Sequence, residues 1–194
     1  MDDSREHLHG YLSDMLLVER ELRSAIRRQC DSSEGLHEAA SDLLLRLEAE
    51  LDARIAALSD VLEEVEDGEP VLRSALGVIL GGVAGLFDRV RLDTQMSRML
   101  RDDYAALSFA AVCYEMLHTR ALDLGEHRVA ELALRHLAGC ARSVARIGDL
   151  MPAVLLAELH EEEDAGAPAP AVIEQAQRNV RAAWTSDAHG MLLS

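Results

Sequence analysis

Between Leu43 and Leu62 the residues Leu43, Leu44, Leu47, Leu51, Ile55, Leu58 and Leu62 recur every three or four positions. That period lines them along one side of a helix, whereas a strand would throw successive members to opposite faces. A stripe this long must be buried against other elements, so it commits the chain to helix packing. The same spacing runs through Leu12, Leu16, Leu22 and Ile26, with Met15 and Val18 beside them. No segment alternates with period two for long enough to form a strand, and aromatics make up only 3% of the residues, too few for an ordinary sheet.

Breakers divide the helical pattern. A first helix is predicted over 12–28 and a polar break over 29–35, which contains CDSSEG. A second helix is predicted over 36–65, stopped by the acidic EDGEP run at 66–70. A short helix is expected over 71–90. A third long helix is expected from about Leu92 to Leu124, with Gly125 as its natural terminating residue. A fourth covers 128–149 and continues past Pro152 to Leu159. Residues 161–169 read as a charged, Pro/Ala-rich linker, and Pro170 suits the first position of a last, detached helix ending near Trp184. Residues 185–194 form an aperiodic tail. The expected fold is all-α: an antiparallel four-helix bundle over residues 1–160, with a short Gly-rich extra helix and a C-terminal helix.

Charge removes several functions. Against 35 acidic residues stand 19 basic ones, every one of them Arg, and the formal charge is −16. Such a chain lacks the basic excess on which binding to phosphate backbones rests, so no nucleic-acid partner is expected. With no Lys, Schiff-base chemistry and a P-loop are excluded. The N-terminal MDDSREHLHG has neither a basic nor an apolar region, so no secretory signal is expected. Residues 75–87 make the longest apolar run, about thirteen residues against the roughly 20 of a membrane span. Cys30, Cys113 and Cys140 are too scattered for a disulfide framework or a zinc site, which suits free thiols in a cytoplasmic protein. Within the apolar run, Gly77, Gly81 and Gly85 recur every fourth residue. That spacing lets another backbone approach closely, as at a homodimer contact.

Two stretches resemble a known family. LLVERELRSAIRRQ, near the start, and RALDLGEHRVAELALRHL, across the third and fourth helices, resemble the YciF-type ferritin-like bacterial stress proteins over residues 12–150. The resemblance implies a four-helix bundle carrying a carboxylate-bridged diiron site. Such a site takes a Glu from each of two helices and a Glu-x-x-His pair from each of the others. Carried onto this chain, the first-helix ligand falls on Glu19 and the second-helix acid on Glu50, with Arg54 where a His or Gln would follow. The third-helix acid falls on Ala110, and the fourth-helix cluster falls on Ala138, Gly139 and Cys140, with Ser143 a turn later. Half of the implied ligand set is therefore missing.

Two readings follow. In the first, the chain is a degenerate ferritin-like protein, structural or interacting, a stress-related homodimer with no cofactor. Arg54, four residues after Glu50, then places its guanidinium where the metals would lie, and Leu107, Val112, Leu117 and Leu137 fill the remaining space. In the second, a rearranged iron site uses Glu19, Glu50 and some of Asp103, Glu115 and His118 for oxidase or peroxidase chemistry. Glu115 and His118 have Glu-x-x-His spacing, and Asp103 lies on the face of Ala110, either to supply a displaced carboxylate or, the favoured reading, to pair with Arg101 or Arg98. A further reading has the last helix and the GMLLS tail dock the chain onto a protein partner.

Overall fold

The computed structural model describes residues 3–32, 37–66 and 95–185. They form α1 (Asp3–Ser32), α2 (Glu38–Glu66), α3 (Met96–Asp123), α4 (His127–Glu162) and α5 (Pro170–Thr185), with no strand among the described residues. The fold is an all-α helical bundle. The Gly-spaced run at 75–87, expected as an extra helix, and the tail at 186–194 lie outside the described residues.

Ion pairs and hydrogen bonds show how the helices are arranged. Arg23 meets Asp52 and Arg27 meets Glu48, so numbers rise along α1 as they fall along α2. Glu19 with Tyr114 and Gln29 with Asp103 set α3 antiparallel to α1. Glu64 with Arg128 and Glu50 with Ser143 do the same for α2 and α4. Tyr114 with His136 and Gln95 with Glu162 do so for α3 and α4. The ring order is thus α1, α2, α4, α3, with every neighbouring pair antiparallel. Across the diagonal, α2 and α3 run parallel, so α2 ends at the opposite end of the bundle from where α3 begins. At 1.5 Å per residue, the 28 residues of α3 make that separation about 40 Å.

The periodic apolar positions fill the space between the helices. Leu12, Met15, Leu22 and Ile26 of α1 meet Leu44, Leu47, Leu51 and Leu58 of α2 in a core that Leu100, Leu107 and Leu117 of α3 and Ile147 and Val154 of α4 complete. Each such side chain contributes roughly 1.5–3 kcal/mol by leaving water. The turn between α3 and α4 follows from Gly125, whose φ of +71° is open to glycine at little cost. Glu126 N–H donates to Ala121 O (2.9 Å) and Gly125 N–H to Leu122 O (3.1 Å), the paired bonds of a Schellman cap.

Three expectations need correction. The polar residues after Arg28 do not break α1, which runs on to Ser32, because Gln29 turns inward and is buried against Asp103. Val112 does not fill the core; it faces outward and is 56% exposed. The last helix is not detached. It folds back along α4, where Gln177 Nε2 donates to Asp149 O (2.7 Å) and Arg181 Nε to Asp149 Oδ1 (2.6 Å). No described helix is long and apolar enough to cross a membrane.

Candidate functional site at the centre of the bundle

One residue from each of the four bundle helices meets in a buried polar network. Helical spacing puts each of them on an inward stripe. Glu19 falls between Leu12, Met15 and Leu22, and Arg54 falls between Leu51 and Leu58. Tyr114 is in register with Leu107, Ala110 and Leu117, and His136 with Ala133 and Cys140. Glu19 and Tyr114 are fully buried, and His136 and Arg54 are nearly so.

Glu19 is the hub. Arg54 Nε donates to both carboxylate oxygens, at 2.9 Å to Oε1 and 3.0 Å to Oε2. The Tyr114 hydroxyl donates to Oε1 at 2.7 Å. The single phenolic proton is therefore committed to Glu19. At 3.1 Å from His136 Nδ1, the phenolic oxygen can then only accept, which requires the ring proton on Nδ1 and leaves Nε2 bare. The imidazole also stands edge-on to the phenol, with centroids 5.1 Å apart and planes at 89°. The hydrogen bonds of the network thus run from His136 through Tyr114, and from Arg54 directly, to one carboxylate.

Burial and charge compete at each member. Burial pushes the Glu19 carboxyl above its ordinary value, against the opposing pull of Arg54 and of the Tyr114 bond. Burial also opposes the charge on Arg54, but Glu19 outweighs it and holds the guanidinium above its usual range. Burial, then the charge of Glu19, lifts Tyr114 well above 10. Burial, then Arg54, pushes His136 down to about 4, so the ring is neutral at physiological pH. The Cys140 thiol is pushed up to about 12 by burial and is no nucleophile. A Cβ added at Gly139 would stand 3.7 Å from Arg54 Nη1, an ordinary van der Waals contact, so the guanidinium packs against this turn of α4 without requiring glycine there. Arg54 Nη2 is buried and finds no hydrogen-bond partner among the described residues.

The remaining candidate residues lie apart. Glu50 does not pair with Arg54 as its spacing suggested. It sits at the rim between α2 and α4, where Arg146 and Ser143 bond its carboxylate. Those bonds outweigh partial burial and hold it below the ordinary carboxylate range. Asp103 does not pair with Arg101 either, since Arg101 takes Asp102. Asp103 is buried, accepts from Gln29 Nε2 at 3.0 Å, and among the described residues has no hydrogen-bond partner for Oδ2. Gln29 is ten residues beyond Glu19 on α1, about 15 Å along the helix. Glu115 faces outward on α3, and His118 donates from Nδ1 to Ala130 O at 2.8 Å.

The ligand positions implied by the family resemblance also scatter. Ala110 and Cys140 are fully buried, Ala138 is exposed, and Gly139 faces Arg54. No three His, Cys, Asp or Glu side chains among the described residues converge where they could hold a metal. A diiron group does not fit the centre of this bundle: a permanently charged guanidinium is bonded to the central carboxylate and would repel a metal cation. Sequence reasoning identified Glu19 and Arg54 but missed Tyr114 and His136 as members of the network. Their place on otherwise apolar stripes was the available signal, because a polar side chain there must find a partner.

Fold and site together define an all-α bundle organised around a buried Arg–Glu–Tyr–His network. No protein-family model matches the chain, nor does any curated protein or solved structure.

Proposed function

We propose that the chain is a ferritin-like bundle in which an arginine-centred network stands in place of a diiron centre. It serves as a structural or interaction protein, not as an oxidase or peroxidase. The observation that carries this reading is Arg54 Nε donating to both oxygens of Glu19 in the middle of the bundle. A ferritin-like ancestry is further supported by the parallel course of α2 and α3, which calls for one long crossover, the connection typical of ferritin-like bundles. In this reading the protein is a stress-related homodimer of the cytoplasm, and its Tyr114 and His136 orient the ion pair without binding substrate.

Metal analysis of protein produced with abundant iron tests it. The expected result is substoichiometric iron that the Glu19→Ala and Glu50→Ala variants do not change. Two irons per chain, lost in both variants, would overturn the proposal and favour the rearranged site. Sedimentation across a concentration series tests the dimer, and a monomer throughout would remove that part.

A further inference from the structure

The pairing with Glu19 spends only part of Arg54. Glu19 accepts from Nε alone, which leaves over the outer edge of the guanidinium, Nη1 with Nη2. Nη2 is buried and has no hydrogen-bond partner among the described residues. Nη1 reaches the seam between α2 and α4 beside Gly139, and a second guanidinium arrives there from outside. A Cβ built on Gly139 would lie 3.7 Å from Arg54 Nη1 and 4.0 Å from Arg142 Nη2, so the two nitrogens flank one point. Arg142 is exposed and makes no ion pair among the described residues, yet it lies back over Gly139 toward another cation. Nothing on its own helix answers its charge. From Leu132 to Gly148, α4 carries Arg135, Arg142 and Arg146 and no acidic residue, in a chain that has 35 of them. Across the seam, Glu50 is already held by Arg146 and Ser143.

We infer that this point of the seam is a binding site for a small oxyanion, a phosphate or sulfate group held between the outer edge of Arg54 and Arg142. The donors select that class. The Nη1–Nη2 edge of a guanidinium presents two parallel N–H groups that match two oxygens of one oxyanion, and Arg142 reaches a third. A buried donor without an acceptor costs stability, and an oxyanion on that edge satisfies Nη2 while it screens the two guanidinium groups from each other. The charge of the seam asks for one anion, since Arg54, Arg142 and Arg146 face only Glu19 and Glu50. The formal charge of −16 repels anions at long range, so saturable binding reports this site and not a diffuse basic field. The group is supplied by free phosphate or by the end of a larger molecule, and the exposed side at Arg142 admits both. The site is separate from the ferritin-like and homodimer readings, which can fail without it.

Calorimetric titration of the full-length chain with inorganic phosphate, sulfate and glycerol 3-phosphate, at constant ionic strength set with sodium chloride, tests the site. The expected result is saturable binding of one oxyanion per chain, with a melting temperature that rises with its concentration and does not respond to chloride. Tighter binding of glycerol 3-phosphate marks a terminal phosphate group as the ligand, and tighter binding of inorganic phosphate marks the free ion. Arg142→Gln changes an exposed side chain. It should weaken phosphate binding roughly tenfold or more, the worth of one charge-assisted hydrogen bond, without lowering the melting temperature of the anion-free protein. Arg135→Gln removes the same charge one turn before Gly139 and should weaken binding far less. Gly139→Asp offers the two guanidinium groups a carboxylate from within the chain. It should abolish phosphate binding and melt above Gly139→Asn, which has the same shape without the charge. Absence of saturable binding to the wild-type chain, equal losses in Arg142→Gln and Arg135→Gln, or undiminished binding by Gly139→Asp would overturn the inference. So would a Gly139→Asp protein no more stable than Gly139→Asn.

Discussion

Removing the side chain of Arg54 isolates the central interaction. The guanidinium is 7% exposed and its partner Glu19 is completely buried. In Arg54→Ala, Glu19 keeps only the Tyr114 hydrogen bond and becomes a buried carboxylate without a counter-charge. Stranding one member of a buried pair typically costs about 3–5 kcal/mol. For a domain near 200 residues, each kcal/mol moves the melting temperature by about 2–4 °C, so the variant should melt roughly 10 °C lower. The loss should also depend on pH. Without Arg54 the folded-state value of Glu19 rises further above its unfolded value, so stability is retained at acid pH and lost as pH rises through that folded value. Glu19→Gln combined with Arg54→Met should recover much of the loss, because a neutral amide still accepts from Tyr114 and Met packs without a charge. Recovery should not follow when Glu50 is changed in place of Glu19, since Arg146 and Ser143 already hold that carboxylate. Urea and thermal unfolding, followed by far-UV circular dichroism at acid and neutral pH, would measure all three variants against the wild type. An Arg54→Ala protein within about 0.5 kcal/mol of wild type, the range of an unremarkable surface change, would refute the reasoning. A double variant no more stable than the single one would do the same.

Burial raises Asp103 from 3.8 to about 7, so its folded-state value exceeds its unfolded one. Its contribution to stability is fully present below about pH 4 and is lost as pH climbs through about 7. Asp103→Asn should remove that slope and stabilise the protein above neutrality by on the order of 3 kcal/mol. Urea midpoints at several pH values check this, and an unaltered slope would contradict it. Tyr114→Phe removes the donor to Glu19 and the acceptor for His136, which should cost about 1–3 kcal/mol by urea unfolding, and a neutral effect would show that the network is not coupled. Burial pushes the thiols of Cys140 and Cys30 up to about 12 and about 11, so both should alkylate slowly near neutral pH until the fold is unfolded. Mass spectrometry of iodoacetamide-treated protein would detect any rapid labelling.

The order of helices was legible in the sequence because periodicity and breakers are local signals. The leucines from Leu43 to Leu62 could be satisfied only by one helix face, and Gly125 could supply the positive φ that ends α3. Interior placement of Glu19 and Arg54 was legible for the same reason, since both fall on apolar stripes. Their pairing was not. Arg54 has Glu50 four residues away on its own helix, the nearer choice in sequence, yet it bonds Glu19, 35 positions distant. The rotation of α2 against its neighbours decides this, for it turns Arg54 toward α1 and leaves Glu50 at the seam with α4. Asp103 and Gln29, or Tyr114 and His136, likewise meet only because antiparallel packing sets their levels along the bundle. Spacing along one helix says which side chains share a face; which face on another helix they will meet, and at what height, is decided only when four apolar stripes settle into a common core.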